Sequence, residues 1–169
     1  QLRGSTIWLD FPSVGATESL LMAAVTAEGR TVIDNAAREP EIVDIDNMMV
    51  QMGAQISGIG TSTLTVEGVD VLQPVHHVTV SDRIVAGTWA VAAAITQGEI
   101  TVINAFAEHL EIALDKLATA GAHVDVHADS FTVSMDTRPK SVDIVTLPYP
   151  GFPTDLQPQF IALNALSLG

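Results

Sequence analysis

The stretch Ala23-Ala24-Val25-Thr26-Ala27-Glu28-Gly29, followed by Thr31-Val32-Ile33, returns as Ala92-Ala93-Ala94-Ile95-Thr96-Gln97-Gly98, followed by Thr101-Val102-Ile103. The offset is about 70 residues, and further on Met52-Gly53-Ala54 returns as Ala120-Gly121-Ala122. A chain that repeats at this interval is made of copies of one supersecondary unit, so each copy helps to read the other.

In the first copy, residues 5–10 alternate as a strand, and 16–28 form a helix that is apolar nearly all round and therefore expected deep in a core. Gly29 suits the end of that helix. The β-branched run 31–34 is a short strand, Pro40 suits the first turn of a second helix, and Ile42, Ile45, Met49 and Met52 make an apolar stripe at helical spacing. Residues 54–57 and 63–67 close the unit as paired strands, with Gly58-Ile59-Gly60 as the turn between them. The second copy runs through 75–80, 85–97, 99–104, a helix over 108–120 with the stripe Leu110, Ala113, Leu114 and Leu117, then 123–126 and 131–135. A third copy starts with a strand at 141–145 and a helix at 154–168. The fold class is therefore α/β, built of βαβαββ units: two complete copies, 1–75 and 76–140, and the start of another, 141–169. Such units bury one face by packing on their siblings, so an assembly of several is the expected architecture.

A chain of 169 residues, 47% apolar, can bury a sizeable core. Its apolar runs at 20–27 and 89–95 are far shorter than the roughly 18 residues of a membrane span, and no basic-then-apolar leader opens it, so we expect a soluble, cytoplasmic protein. The absence of cysteine excludes disulfides and a thiol nucleophile. With 7 Lys+Arg against 20 Asp+Glu, the formal charge of -13 disfavours nucleic acid and anionic membranes as partners. The five histidines show no metal-ligand spacing, since His76 and His77 are adjacent on an extended segment and point to opposite sides. Neither a metal site nor an organic cofactor motif is present.

Two rigid loops stand out as candidate ligand sites. Phe11-Pro12-Ser13-Val14-Gly15-Ala16-Thr17 leads into the first helix, where free N–H groups and the helix dipole favour an anion; from spacing alone a plain turn with a Ser or Thr cap is the favoured reading. Pro148-Tyr149-Pro150-Gly151-Phe152-Pro153-Thr154-Asp155 leads into the last helix. Thr154 and Gln157 fit a capping box, and Asp155 is either a first-turn acid favoured by the dipole or a carboxylate presented to a ligand. Arg38-Glu39-Pro40-Glu41 is either helix-start chemistry with a surface ion pair of about 1 kcal/mol or less, or a charged edge of a cleft.

Three segments, Ser13-Val14-Gly15-Ala16-Thr17, Asn35-Ala36-Ala37-Arg38-Glu39-Pro40-Glu41-Ile42-Val43-Asp44 and Leu147-Pro148-Tyr149-Pro150-Gly151-Phe152-Pro153-Thr154-Asp155-Leu156-Gln157, resemble the UDP-N-acetylglucosamine enolpyruvyl transferases. The resemblance covers nearly the whole chain but only about the middle two fifths of such an enzyme. It implies six units arranged as two inside-out α/β barrel domains, helices within and sheets without. The first copy belongs to one lobe, the second and third to the other, with the crossover near 75–80.

The implied activity is transfer of the enolpyruvyl group of phosphoenolpyruvate to the 3-hydroxyl of UDP-N-acetylglucosamine, the committed step of peptidoglycan synthesis, with no cofactor. Carried over residue by residue, Pro12, Ser13, Val14 and Gly15 hold the sugar nucleotide around its diphosphate. Asp155, beside Thr154, takes the proton of the attacking hydroxyl, and Arg38 and Glu39 line the cleft. Two positions depart from the family pattern: Phe11 stands where some members have Lys, and Val85 where most have Glu. The arginines that grip phosphoenolpyruvate and the loop acid, Cys or Asp, would lie on other segments, so this chain by itself is expected to be inactive. Exposed apolar faces left by absent siblings would favour self-association. Two other functions fit less of the sequence: the shikimate-pathway enolpyruvyl transferase, and a non-catalytic sugar-nucleotide binding or scaffold protein.

Overall fold

A computed structural model describes residues 2–169 of the chain. Its helices and strands run β1 Thr6–Trp8, α1 Val14–Ala24, β2 Arg30–Asp34, α2 Pro40–Gln51, β3 Gln55–Ser57 and β4 Thr63–Glu67, then α3 Arg83–Thr96, β5 Glu99–Ile103, α4 Glu111–Ala120, β6 His123–Val126, β7 Ser130–Ser134 and α5 Gln157–Leu166. Short 3-10 turns at Ala107–His109 and Thr154–Leu156 precede α4 and α5. Two compact units divide it, the first ending at Val80 and the second spanning Ser81–Gly169.

In the first unit the sheet order is β1-β2-β4-β3, with β1 parallel to β2 and the other pairs antiparallel. Leu64 and Val66 of β4 alternate inward, as the period of a half-buried strand requires, and both are essentially unexposed. Leu21, Ala24, Val25, Met49, Ala54 and Val66 form one core cluster, and Ile33, Ala36 and Leu64 form another.

In the second unit the order is β5-β7-β6, all antiparallel, with the five-pair register Glu99↔Ser134 to Ile103↔Ser130 matching that of Arg30↔Glu67 to Asp34↔Thr63. Its core is one cluster, filled by Phe131, Phe152, Phe160, Leu117, Leu156 and Leu163. Leu110, Ala113, Leu114 and Leu117 are all buried, as their helical spacing predicts.

The repeat survives in backbone detail. Gly53 (φ 103°) and Gly121 (φ 110°) occupy the same left-handed position after α2 and α4. Each is followed by an amide reaching back to the helix, Ala54 N–H to Met49 O at 2.9 Å and Ala122 N–H to Leu117 O at 3.0 Å. This six-to-one closure satisfies end carbonyls that no helical donor reaches. Asn35 (φ 58°) and Asn104 (φ 52°) likewise end β2 and β5.

Three expectations need correction. The helix predicted over 16–28 starts earlier and stops at Ala24, because Glu28 donates to Leu2 O and accepts from Gly4 N–H, pairing this stretch with residues 2–4. Gly29, left-handed at φ 88°, therefore leads into β2 instead of ending the helix. Only Thr17, Leu21 and Ala24 of α1 are buried, and Met22 is 50% exposed, so an apolar composition did not mean all-round burial within this chain.

Residues 75–80 form no strand. This segment instead belongs with α2: Gln73 N–H donates to Met52 O at 2.8 Å, and His77 Nε2 lies 3.1 Å from both carboxylate oxygens of Asp44. The strand predicted at 141–145 is also absent. There, Asn164 of α5 captures the backbone of Val142 with two bonds, 3.0 Å from its N–H and 2.9 Å to its carbonyl, in place of a neighbouring strand.

Candidate functional site

The N-terminus of α1 is built by Ser13. Its Oγ accepts from Ala16 N–H at 3.3 Å, and its carbonyl accepts both Thr17 N–H at 2.9 Å and Thr17 Oγ1–H at 2.8 Å. By helix geometry the amides at Val14 and Gly15 have no intrahelical acceptor. Gly15 is exposed, and a Cβ placed on it would meet nothing within 4 Å, so a ligand can approach this backbone closely. Pro12 fixes the entry to the turn. A helix start with open amides and a positive dipole end suits an anionic group.

Thr17 also joins this turn to the second candidate segment. Fully buried, its Oγ1 accepts from Ala37 N–H at 3.0 Å, so one hydroxyl spans Ser13 O and the backbone next to Arg38. Pro12, Ser13, Val14 and Gly15 are thereby held beside Arg38 and Glu39 within one unit. Arg38 is exposed, whereas Glu39 is only 8% exposed and accepts from Arg38 N–H at 2.9 Å through Oε2. Glu39 stands at the N-cap position of α2 without a side-chain cap bond, and its carbonyl receives Ile42 and Val43 N–H. Its carboxylate thus stiffens its own loop, and Arg38 is the outward charge. In the sequence Thr17 is only the last residue of the Ser13-to-Thr17 segment; its link to Ala37 depends on a tertiary contact.

Thr154 and Asp155 lie in the second unit, on a loop shaped by close packing. Gly151 N–H donates to Pro148 O at 2.8 Å, Leu147 N–H donates to Phe152 O at 3.0 Å, and the Tyr149-Pro150 peptide is cis. A Cβ on Gly151 would stand 2.5 Å from Leu147 Cβ and 2.9 Å from Pro148 O, so no other residue fits without movement. Phe152 packs edge-on against Phe160 at 4.9 Å, and Leu156 is unexposed. Asp155 is thus carried outward between two buried anchors, exposed at the start of the turn into α5. The expected capping box does not form: residues 154–156 make a 3-10 turn, and neither it nor α5 has a side-chain cap bond. Pro158, inside the first turn of α5, tightens the entry and leaves Thr154 outside the helix proper. The Thr154 and Asp155 side chains are therefore not needed for helix capping.

Tyr149, Pro150, Gly151 and Pro153 of this loop line a cavity of about 100 Å³ together with Glu108, His109, Glu111 and Ile112. Neither Thr154 nor Asp155 lines it. The Arg83 guanidinium sits over the Tyr149 ring at 5.5 Å, a contact worth about 0.5–1 kcal/mol, which braces the loop against α3. Asp82 caps α3, accepting from Ile84 and Val85 N–H at 2.8 and 3.0 Å. Among the described residues no three His, Asp or Glu side chains gather as a metal site. Among the described residues no helix is long and apolar enough to cross a membrane. Two features carry no sequence signal: the partly buried His77–Asp44 pair, and Asp46, fully buried on α2 with neither oxygen hydrogen-bonded.

The family model for EPSP synthase (3-phosphoshikimate 1-carboxyvinyltransferase) matches residues 1–167. The chain is 62% identical over 169 residues to the UDP-N-acetylglucosamine 1-carboxyvinyltransferase of Corynebacterium jeikeium (strain K411), and 59% identical over 169 residues to that of Nocardia farcinica (strain IFM 10152). Each match takes in 100% of this chain and 40% of the relative, so the chain spans about 40% of the length of these curated relatives. Among solved structures, the enolpyruvyl transferase NikO from Streptomyces tendae superposes with a TM-score of 0.85 at 23% identity, covering 98% of this chain and 42% of that one. EPSP synthase from Acinetobacter baumannii superposes at 0.57 and 16% identity, over 98% and 37% of the two chains. At these identities the structural likeness establishes the fold, an enolpyruvyl transferase fold.

Proposed function

The chain belongs to the EPSP synthase family, and on that premise we propose that it is part of a UDP-N-acetylglucosamine 1-carboxyvinyltransferase. The observation that carries this reading is the identity of 62% and 59% to two such enzymes along the whole chain. The geometry supports it: an open helix N-terminus at Ser13-Val14-Gly15 suits a diphosphate, and a carboxylate outside any capping role, Asp155, suits a hydroxyl.

In this mechanism the amides of Val14 and Gly15 hold the sugar nucleotide by its diphosphate, with Pro12 and Ser13 setting the turn and Arg38 adding positive charge at its rim. Glu39 keeps the Arg38 loop in shape. Thr154 and Asp155 meet the sugar, and the Asp155 carboxylate accepts the proton of the 3-hydroxyl as its oxygen attacks C2 of phosphoenolpyruvate. An acid outside this chain protonates C3, giving a tetrahedral adduct. Loss of a C3 proton and departure of phosphate then restore the double bond as an enol ether. No metal or organic cofactor takes part. The product commits sugar nucleotide to peptidoglycan, and hence to cell-wall growth and division, in the cytoplasm. Phosphoenolpyruvate is gripped mainly by segments outside the 169 residues, so this chain alone is inactive.

The exposed side chains Val85 and Trp89 on α3, with Ile161 and Leu166 on α5, support self-association of the isolated chain, to be read as concentration-dependent sedimentation. To test the function, phosphate release by the intact polypeptide is measured with UDP-N-acetylglucosamine and with shikimate 3-phosphate as acceptor. We expect turnover with the sugar nucleotide only, lowered about 100-fold or more by Asp155→Ala. Turnover with shikimate 3-phosphate instead, or an unaffected Asp155→Ala variant, contradicts the reading.

A further inference from the structure

Asp46 is the one acidic side chain of the described residues with no exposed surface. It lies on the core face of α2, one turn after Ile42 and three residues before Met49, both buried. Neither Oδ1 nor Oδ2 has a hydrogen-bond partner. A buried carboxylate in this condition would retain the full cost of leaving water, which a neutral acid largely avoids.

Among the described residues no hydrogen-bond donor meets this carboxyl, and burial is the cause that acts on it. On α2 itself Asp44 is engaged by His77, and Glu39 by the Arg38 amide, while Glu41 lies in the first turn. Of the elements packed on α2, α1 carries Glu18 as its titratable side chain and β3 carries none. The segment that follows β4 brings Asp70 and His76, both exposed, along with His77.

We infer that Asp46 is a proton-controlled brace of the first unit: carried as the neutral acid when α2 is packed on α1, and loosening that packing when it ionises. Burial, with no opposing influence, pushes its pKa up to about 6. The sign follows from linkage. The folded pKa lies above that of the unfolded chain, so the contribution is complete below the unfolded value of about 3.9 and is lost as pH rises through the folded one. Above pH 7 the opening equilibrium of α2 should rise by about a hundredfold relative to its value below about pH 3. Because α2 starts at the Arg38-Glu39 loop, its opening also releases the Ala37 bond to Thr17.

Carbon-13 titration of the aspartate side chains in the intact polypeptide, with Asp46→Asn to assign the signal, reads the group directly. A midpoint near 6 supports the brace, and a midpoint near 4 overturns it. Amide hydrogen exchange across α2 at pH 5 and pH 8, corrected for intrinsic rates, reads the consequence. We expect protection in the wild type to fall with pH and that of Asp46→Asn to stay level; the same pH response in both overturns the proposal. Should Asp46→Asn fail to fold, Asp46→Leu, branched at Cγ like Asp and uncharged, serves in its place. The wild-type titration decides the matter in either case.

Discussion

The two units carry the same repeat yet differ at one edge: the first has a four-stranded sheet, the second a three-stranded one. The strand that makes the difference is β1, which runs parallel to β2. Its sequence counterpart, residues 75–80, alternates just as β1 does but hydrogen-bonds no strand. Alternation states that a segment can pair and says nothing of which partner is within reach. The counterpart segment is committed elsewhere, since Gln73 and His77 fasten the chain to Met52 and Asp44 of its own unit. Core composition differs as well. The second unit concentrates Phe131, Phe152 and Phe160 in a single cluster, whereas the first spreads Leu21, Ile33 and Leu64 over two smaller ones.

The largest expected effect separates the units by core. Phe160→Ala should cost about 4 kcal/mol and Leu21→Ala about 3 kcal/mol, each loss confined to amide protection in its own unit. Global loss of protection from either change would mean that the two units unfold together.

Next come the shared helix ends. Gly53→Ala and Gly121→Ala each force a Cβ into the left-handed region and should each cost about 1–2 kcal/mol in thermal or urea melts. Because the backbone bonds are the same in both copies, the two values should agree; a clear inequality would show that the repeat is equal in geometry but not in energy. Ser13→Ala removes the cap of α1 and should cost about 1 kcal/mol, while the α3 cap at Asp82 is untouched. Smallest is His77→Ala, about 1 kcal/mol or less because the pair is partly exposed; faster exchange of the Gln73 amide would report release of the segment from α2.

Much of this was legible in residues alone. The strand bounds at 63–67 and 123–126, the Pro40 start of α2, the buried stripe of α4 and the Gly58-to-Gly60 turn follow from periodicity and turn chemistry, which are local. What escaped depends on contacts far apart in sequence. Thr17 holding Ala37, His77 holding Asp44, and Asn164 taking the place of a strand beside Val142 leave no periodic trace. Asp46 was hidden for a related reason: an acidic residue within a helix normally marks the wet face, and here it marks the dry one. At the candidate site, residues 12–15 and 154–155 are proposed from their loops and their family likeness. Their lack of capping duty at Thr154 and Asp155 emerged only from the 3-10 turn.

Sugar-nucleotide binding at the α1 turn and at the Asp155 loop is the proposal on which the rest depends. Following backbone amide resonances of the intact polypeptide while UDP-N-acetylglucosamine is added tests it most directly. We expect the amides of Val14, Gly15, Thr154 and Asp155 to shift along one saturation curve, and Asp155→Ala to weaken it. Shifts at one loop without the other, or none at either under saturating ligand, would contradict it.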